Sequence, residues 1–270
     1  MKAGVPYAEL RGASVIAAAL FTAGAAAHML KDAGYTVSEL KEGGYTAKQM
    51  KDAGYTASDM KSSFSLIELK KLGYTCLNLA SANFAAKDMR AAGFSCLQMK
   101  GSDYSVQELA GGGFTIAEFK KADVLVVELR EIFTVKEMKA AKSSSMIGMG
   151  SAVYSTAEMK EGGYLAIDLK EVSTLGELKE AGYSCQELKD AGFLAKELLS
   201  TGFSEKTLKA SGYTVEEMRE AGISAGKMRS LGYTATDMHS AGYGCAALRS
   251  GKLRLTCKPV RDQIMGIFTS

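Results

Sequence analysis

The chain has 270 residues, of which 47% are apolar and 23% are charged, a balance that supports a buried core and excludes an intrinsically disordered protein. Its 29 glycines are accompanied by only two prolines, which indicates regular punctuation of the chain and excludes a flexible linker. The formal net charge is only +3, but the segment from Arg249 to Ser270 carries five basic residues and one acid, so the rest of the chain is nearly neutral.

The first notable segment, Gly12 to Leu30, contains no Lys, Arg, Asp or Glu. Such a stretch resembles a signal peptide or a weak membrane span. However, it consists mostly of alanine, and it keeps a ten-residue spacing between Leu20 and Leu30. We therefore interpret it as the degenerate beginning of a repeat array and expect no membrane-spanning segment.

A ten-residue phrase ending on Leu or Met recurs along almost the whole chain. The stretch from Leu40 to Lys61, LKEGGYTAKQMKDAGYTASDMK, contains two copies. Twenty-five such anchor residues lie between Leu10 and Leu248. The spacing departs from ten before four anchors: Leu69, Met138 and Leu178, where it is nine, and Met149, where it is eleven.

Each phrase carries the signals that begin a helix. In the copy Gly54-Tyr55-Thr56-Ala57-Ser58-Asp59-Met60, Thr56 is a good N-cap and Asp59 follows three residues later, as in a capping box. Tyr55 and Met60 occupy the two positions of a hydrophobic staple.

The same phrase also ends the preceding helix. Gly54 follows the helix that contains Met50, and glycine is the preferred residue there because it accepts a positive φ. Tyr55 would then contact Met50 in a Schellman motif. Glycine fills this position in 16 of 25 repeats, and three more have Asn83, Asp103 or Asp123, which also tolerate the left-handed conformation.

These signals predict an all-α solenoid of about 25 short two-turn helices, one per ten-residue repeat. Helices this short are unstable alone, so each must pack on its neighbours. A β-solenoid is the competing fold, but the Ala, Glu, Leu, Lys and Met between the caps are helix formers. The anchor pattern leaves open whether two or three helices form each turn of the solenoid.

The departures from the pattern predict four segments. Residues 1–122 form the N-terminal repeats, residues 123–174 are irregular repeats that mostly lose the glycine, residues 175–250 are the C-terminal repeats, and residues 251–270 are a basic tail outside the repeat. Within the irregular segment, the run from Ser143 to Gly150 is either a drifted repeat or a bend with a docking loop. The tail either caps the last repeat or binds an anionic partner.

We find no motif for catalysis, for metal binding or for a cofactor. His28 and His239, the only histidines, are far apart in sequence and should both be solvated. Four of the five cysteines occupy the slot after the cap, where they act as small apolar residues: Cys76, Cys96, Cys185 and Cys245. An odd number of cysteines without a C-x-x-C pair favours an intracellular, reducing compartment.

The residue after the anchor is Lys or Arg in 19 of 25 repeats. One interpretation is that these bases compensate the dipole at the helix C-terminus. The other is that they form a basic track for a nucleic-acid backbone or an anionic membrane. The neutral body of the chain, and the use of its aromatic residues at the helix junctions, favour the first interpretation.

The phrase A-G-[YF]-[ST]-x-x-[ED]-[LM]-K resembles tandem ten-residue repeats in predicted proteins of algae and other protists and in some microbial proteins. The resemblance covers about residues 1–250. It implies a repeat scaffold, and it brings no established activity and no catalytic residue to this sequence.

We therefore predict a non-enzymatic scaffold that mediates protein–protein interactions within a larger assembly. The alternatives are an accessory subunit of an organellar membrane complex, photosynthetic or respiratory, which associates with the membrane without spanning it, and a nucleic-acid-binding solenoid, which is the less favoured. The candidate interface residues are Val15, Ile16, Leu20, Phe21, Met29, Met146 and Ile147. The candidate contacts to an anionic partner are Lys252, Arg254, Lys258 and Arg261.

Overall fold

The protein is described by a computed structural model, which covers residues 6–13, 15–141 and 152–250. Within these residues it forms 24 α-helices of four to six residues and no extended β-strand. The chain is an all-α solenoid of short helices, as predicted. The helices are α1 Tyr7–Gly12, α2 Ala17–Thr22, α3 Ala27–Asp32, α4 Val37–Glu42, α5 Ala47–Asp52, α6 Ala57–Met60, α7 Leu66–Lys71, α8 Cys76–Ser81, α9 Ala86–Ala91, α10 Cys96–Lys100, α11 Val106–Gly111, α12 Ile116–Lys121, α13 Val126–Leu129, α14 Val135–Ala140, α15 Thr156–Glu161, α16 Ala166–Leu169, α17 Leu175–Glu180, α18 Cys185–Asp190, α19 Ala195–Ser200, α20 Glu205–Ala210, α21 Val215–Glu220, α22 Ala225–Ser230, α23 Ala235–Ser240 and α24 Cys245–Ser250.

Most of the helices begin with the predicted capping box. At α4, the Glu39 backbone N–H donates to Thr36 Oγ1 at 3.3 Å, and the Thr36 N–H donates to Glu39 Oε2 at 2.6 Å. The alanine-rich segment forms α2 and α3, whose cap positions hold Ile16 and Ala26 and therefore lack a side-chain cap. These two helices lack both hydrogen bonds of a capping box, because Ala19 and Met29, three residues after the caps, cannot accept from the cap N–H.

The helices end in the predicted Schellman motif. After α5, the N–H of Tyr55 donates to the carbonyl of Met50 at 3.1 Å, and the N–H of Gly54 donates to that of Lys51 at 2.8 Å. The φ of Gly54 is +85°. Three non-glycine residues with positive φ occupy the same position, as predicted from their types: Asn83, Asp103 and Asp123.

In the nine-residue repeats the helix is shorter at its C-terminal end, but its anchor residue still packs in the core. The helices α6, α13 and α16 each have four residues. No residue between any of these helices and the next helix has a positive φ. After α6, for example, the N–H groups of Ser63 and Phe64 both donate to the carbonyl of Met60 at 3.0 Å. The deleted residue is therefore the left-handed one, and the next helix begins one position earlier.

Alternate helices along the chain pack on each other, so two helices form one turn of the solenoid. This packing joins α2 to α4, α6 to α8, α8 to α10 and α10 to α12 in the first part of the chain, and α15 to α17, α19 to α21 and α22 to α24 in the second. The structural period is therefore twenty residues, which resolves the choice between two and three helices per turn that the sequence left open.

The anchor residues form the core. Leu30, Leu40 and Met50 have no exposed surface, and neither do most of the anchors after them. Burying a Leu or Met side chain completely contributes about 1.5–3 kcal/mol. The junction aromatics, such as Tyr55, and the small residues after the caps, such as Ala57, complete this core.

The chain divides into two compact units. The first comprises Met1–Ile132 with Ala141–Val153, and the second comprises Phe133–Ala140 with Tyr154–Ser270. The division falls within residues 123–174, where the sequence loses its regular glycines. The boundaries predicted at residues 122, 174 and 250 stay predictions, and the run from Ser143 to Gly150 lies outside the described residues.

Candidate functional site

The junction tyrosines hydrogen-bond successive turns of the solenoid. The hydroxyl of Tyr45 donates to the carbonyl of Ala25 at 2.7 Å, and that of Tyr55 donates to the carbonyl of Tyr35 at 2.5 Å. The same bond, across 19 or 20 residues, recurs at six further positions: Tyr35, Tyr74, Tyr104, Tyr183, Tyr213 and Tyr243. Each carbonyl belongs to a residue one turn earlier, so these bonds fix the register between turns.

The basic residue after each anchor reaches the next turn rather than the end of its own helix. Lys51 Nζ donates to the carbonyl of Leu72 at 2.6 Å and lies 5.5 Å from the centre of the Tyr74 ring. Lys61 Nζ donates to the carbonyls of Ala82 and Asn83. These bases therefore neutralise the C-terminal end of the helix two positions later. The basic residues do compensate a helix dipole, as predicted, but the dipole is that of the helix two positions later and not that of their own helix.

A capping carboxylate completes the surroundings of several of these cations. Arg90 lies 5.1 Å from the Phe114 ring centre and 3.2 Å from Glu118 Oε2. Lys160 donates to the carbonyl of Gly182, lies 4.6 Å from the Tyr183 ring centre, and pairs with Glu187 at 3.5 Å. A solenoid junction thus offers three groups to a cation: helix-end carbonyls, an aromatic face and the carboxylate that caps the next helix.

The basic residues that follow the anchors are poorly available to bind a nucleic-acid backbone. The ammonium groups of Lys51 and Lys61 already donate to backbone carbonyls, and Lys160 also forms an ion pair. A phosphate backbone would have to compete with these partners for each cation. The geometry therefore supports a structural role for these residues.

Burial and hydrogen bonds shift the pKa values of the junction groups in opposite directions. Burial, and to a lesser degree the charge of Asp59, raises the pKa of the Tyr55 hydroxyl to about 12. The backbone N–H and the hydroxyl of Thr36 hold the pKa of Glu39 below its usual value. At neutral pH the tyrosines are therefore protonated donors and the capping carboxylates are ionised acceptors.

Open grooves lie between equivalent junctions of successive turns. One of about 590 Å³ is lined by Ala80, Ser102, Asp103, Tyr104 and Glu108, among others. A groove of about 480 Å³ contains Lys51, and one of about 360 Å³ contains Arg90. The position that holds a long basic side chain in the two smaller grooves holds alanine in the largest one. We refer to the groove lined by Ala80 as the Ala80 groove.

The predicted interface residues of the first repeats have different exposures. Ile16 is 68% exposed, Met29 is 42% exposed and Phe21 is 40% exposed. Val15 is partly exposed, whereas Leu20 is 5% exposed and belongs to the core. Leu20 therefore contributes little to any surface in this structure. The other candidates lie outside the described residues: Met146, Ile147, Lys252, Arg254, Lys258 and Arg261.

Phe21 occupies the position that a basic residue fills in most repeats. Its ring packs edge-on against Tyr45, with the ring centres 4.8 Å apart. Sequence reasoning missed this contact, as it missed the bonds from the tyrosine hydroxyls. A spacing of 23 or 24 residues was the available signal, because the basic residues Arg11, Lys31 and Lys51 stand that far before Tyr35, Tyr55 and Tyr74.

The histidines and cysteines show the environments expected from their positions. His28 and His239 are both exposed. Cys96 and Cys185 are buried free thiols, and Cys76 is a partly buried one. Burial raises the pKa of the Cys96 thiol, which disfavours the reactive thiolate. The side chains of Cys245 and Cys257 are not among those described.

The described part of the chain shows no group of three or more His, Cys, Asp or Glu side chains placed to hold a metal ion. No helix among the described residues has the length and apolar character needed to cross a membrane.

The repeat itself provides the comparison with known proteins. A family model described as "Decapeptide repeat region" matches residues 1–63, 63–145, 132–204 and 172–245. The chain belongs to this family. The four overlapping matches cover all the decapeptide repeats from the alanine-rich start to α23 and support a tandem array of ten-residue units. No curated protein and no solved structure matches the chain.

Proposed function

We propose that this decapeptide-repeat solenoid is a non-enzymatic scaffold that holds other proteins of a larger assembly. Its abundant reactive groups are used to build the fold: the capping carboxylates bond to helix N-termini, as Glu39 does at Thr36, and the lysines bond to helix ends, as Lys51 does at Leu72. The tyrosine hydroxyls bond between turns. Held in hydrogen bonds in this way, these groups are poorly placed to act on a substrate.

The observation that carries the proposal is the apolar surface of the first repeats. Three large apolar side chains are exposed at positions that are polar in most repeats. Ile16 replaces Thr or Ser, Phe21 replaces a basic residue, and Met29 replaces an acid or an amide. We infer that these side chains, which lie at the consecutive helices α2 and α3, form one exposed apolar patch, and such patches mark association surfaces. The surrounding repeats carry no charged side chain between Gly12 and Leu30, which lowers the cost of burying this surface against a partner.

The proposal is tested by restoring the repeat pattern at these positions. Ile16→Thr supplies a cap, Phe21→Lys places a cation beside Tyr45 as in other repeats, and Met29→Glu supplies an acid in the first turn of α3. All three changes remove apolar surface without opposing the fold. Tagged wild-type protein and the triple variant are used in affinity purification from the source cells, followed by mass spectrometry.

The matched control is Leu194→Thr, which makes the same change of an exposed cap residue on α19. We expect the triple variant to lose the partners that wild type and L194T retain, while its circular dichroism stays helical. Identical partner sets for all three proteins would contradict the proposed surface.

A membrane-associated assembly is a second candidate, favoured by the same exposed apolar residues. In that case the protein would co-purify with membranes after a high-salt wash, and the triple variant would be released into the supernatant. Release of the wild-type protein by salt alone would argue against this candidate. The buried free thiols of Cys96 and Cys185 fit a reducing compartment for either candidate.

A further inference from the structure

The Ala80 groove contains all the groups that bind a lysine at the equivalent junctions. The carbonyls of Ser102 and Asp103 end α10, the Tyr104 ring follows them, and Glu108 caps α11. Lys160 meets the same three kinds of group at Gly182, Tyr183 and Glu187. Glu187 lies 27 residues after Lys160, and Glu108 lies 28 residues after Ala80.

What differs is the residue that faces these groups. Position 80 holds alanine, whereas Lys61 and Lys70 occupy the corresponding positions of the preceding repeats and donate to helix-end carbonyls one turn later. In the described part of the chain, no side chain donates to the carbonyl of Ser102 or of Asp103. An aromatic face, acceptor carbonyls and a carboxylate therefore line an open groove of about 590 Å³.

The charge of this groove suits a cation. Glu108 is ionised, because the hydroxyl and the backbone N–H of Ser105 hold its pKa below the usual value. Asp103 adds a second carboxylate, and the C-terminus of α10 adds partial negative charge. Lys87, at the rim, opposes a cation, but its side chain is exposed and forms no ion pair with a described residue.

We propose that the Ala80 groove binds the side chain of a lysine supplied by a partner protein. The ammonium group would donate to the carbonyls of Ser102 and Asp103, lie against the Tyr104 ring and face Glu108. Its methylene stem would lie along Ala80, Ala85 and Ala86, which line the groove. A primary ammonium suits two neighbouring carbonyls because it has three rotatable donors.

Phe21 and Leu199 are two of the five other residues that replace a Lys or Arg after an anchor, and their surroundings differ from those of Ala80. Phe21 lines its own groove, of about 400 Å³, and packs edge-on against Tyr45 there. Leu199 stands 24 residues before Ile223, so the junction there has an aliphatic residue in place of the aromatic ring. At Ala80 the aromatic ring and the acceptors are retained, and only the basic side chain is replaced.

That a partner protein supplies the lysine rests on the proposed scaffold function. That the groove binds a lysine side chain rests only on the residues that line it. The two are separated by using a small probe, the peptide acetyl-Gly-Lys-Gly-amide, and a neutral control peptide with Nε-acetyllysine. Binding to the full chain is followed by the backbone amide shifts of Ser102, Asp103 and Tyr104 in two-dimensional NMR. This titration can succeed even if affinity purification finds no partner.

Two variants make the test specific. Ala80→Lys supplies the lysine from the chain itself, and Gln107→Lys adds the same charge on the exposed side of α11, outside the groove. We expect the lysine peptide, and not the acetylated one, to shift the three amides in a saturable manner. We expect A80K to weaken this binding at least tenfold and to raise the thermal midpoint, and Q107K to do neither.

The proposal is overturned if the lysine peptide causes no shifts at these amides, if the acetylated peptide causes the same shifts, or if A80K binds the peptide as wild type does. It is also overturned if A80K raises the thermal midpoint no more than Q107K, because a groove that accepts a lysine in trans must accept one in cis.

Discussion

The bonds between turns can be tested by replacing Tyr55 with phenylalanine. This change removes one hydroxyl, which donates to the carbonyl of Tyr35 at 2.5 Å, and keeps the ring that packs in the core. Phe94 and Phe114 occupy the same position in other repeats, so the phenylalanine ring fits without strain. The variant therefore isolates a single hydrogen bond between two turns.

The expected cost follows from the burial of the acceptor. No other described group donates to the carbonyl of Tyr35, and the Tyr55 side chain that covers it is only 5% exposed. A buried acceptor left without its donor costs about 1–3 kcal/mol. In a cooperative unit of this size, each kcal/mol lowers the thermal midpoint by about 2–4 °C. We expect a loss in this range for Tyr55→Phe.

Tyr233→Phe is the matched control. The Tyr233 hydroxyl lies 3.6 Å from Met218 Sδ, which is a weak acceptor, so its removal leaves no carbonyl without a donor. Urea and thermal unfolding of wild type, Y55F and Y233F would be followed by circular dichroism at 222 nm. Amide hydrogen exchange near Tyr35 would show whether the loss is local. Equal stabilities of Y55F and Y233F would refute the argument that these hydroxyls hold the turns together.

Three further predictions concern the other junction groups. Lys51→Met removes the charge that meets the Leu72 carbonyl and the Tyr74 ring, so we expect a loss of about 1 kcal/mol in urea unfolding that shrinks in high salt; a loss independent of salt would count against an electrostatic origin. Ala85→Thr supplies the missing cap of α9 with Asp88 already in place, and we expect it to raise the unfolding free energy by about 1 kcal/mol, whereas an unchanged midpoint would show that this cap is not limiting. Folding lowers the pKa of Glu39, so the stability that Glu39 contributes is present above its unfolded pKa and is lost as the pH falls through the folded pKa. Folding raises the pKa of Tyr55 to about 12, so the stability that Tyr55 contributes is present below its unfolded pKa of about 10 and is lost as the pH rises from there. Urea midpoints measured from pH 3 to 12 should therefore fall at both ends, and a midpoint that stays flat up to pH 12 would contradict the alkaline part.

The beginnings and ends of the helices could be predicted from residue types alone. Glycine at position 54 permits a positive φ, Thr56 caps the next helix, and Tyr55 belongs to both motifs. These are interactions within a few residues of one another, so residue type and spacing are sufficient to predict them. The buried anchors could also be predicted, because an amphipathic two-turn helix has only one apolar stripe.

The contacts between residues of successive turns could not be predicted in this way. The twenty-residue period, the bond from Tyr55 to the Tyr35 carbonyl and the reach of Lys51 to the Leu72 carbonyl all depend on how many helices form a turn. A strict ten-residue repeat is equally compatible with two or three helices per turn, because every repeat presents the same face to its neighbours. The choice depends on the packing of side chains across turns, and that packing gives Ala80 its significance: a small residue that is unremarkable in the sequence lies opposite a complete set of groups for binding a cation.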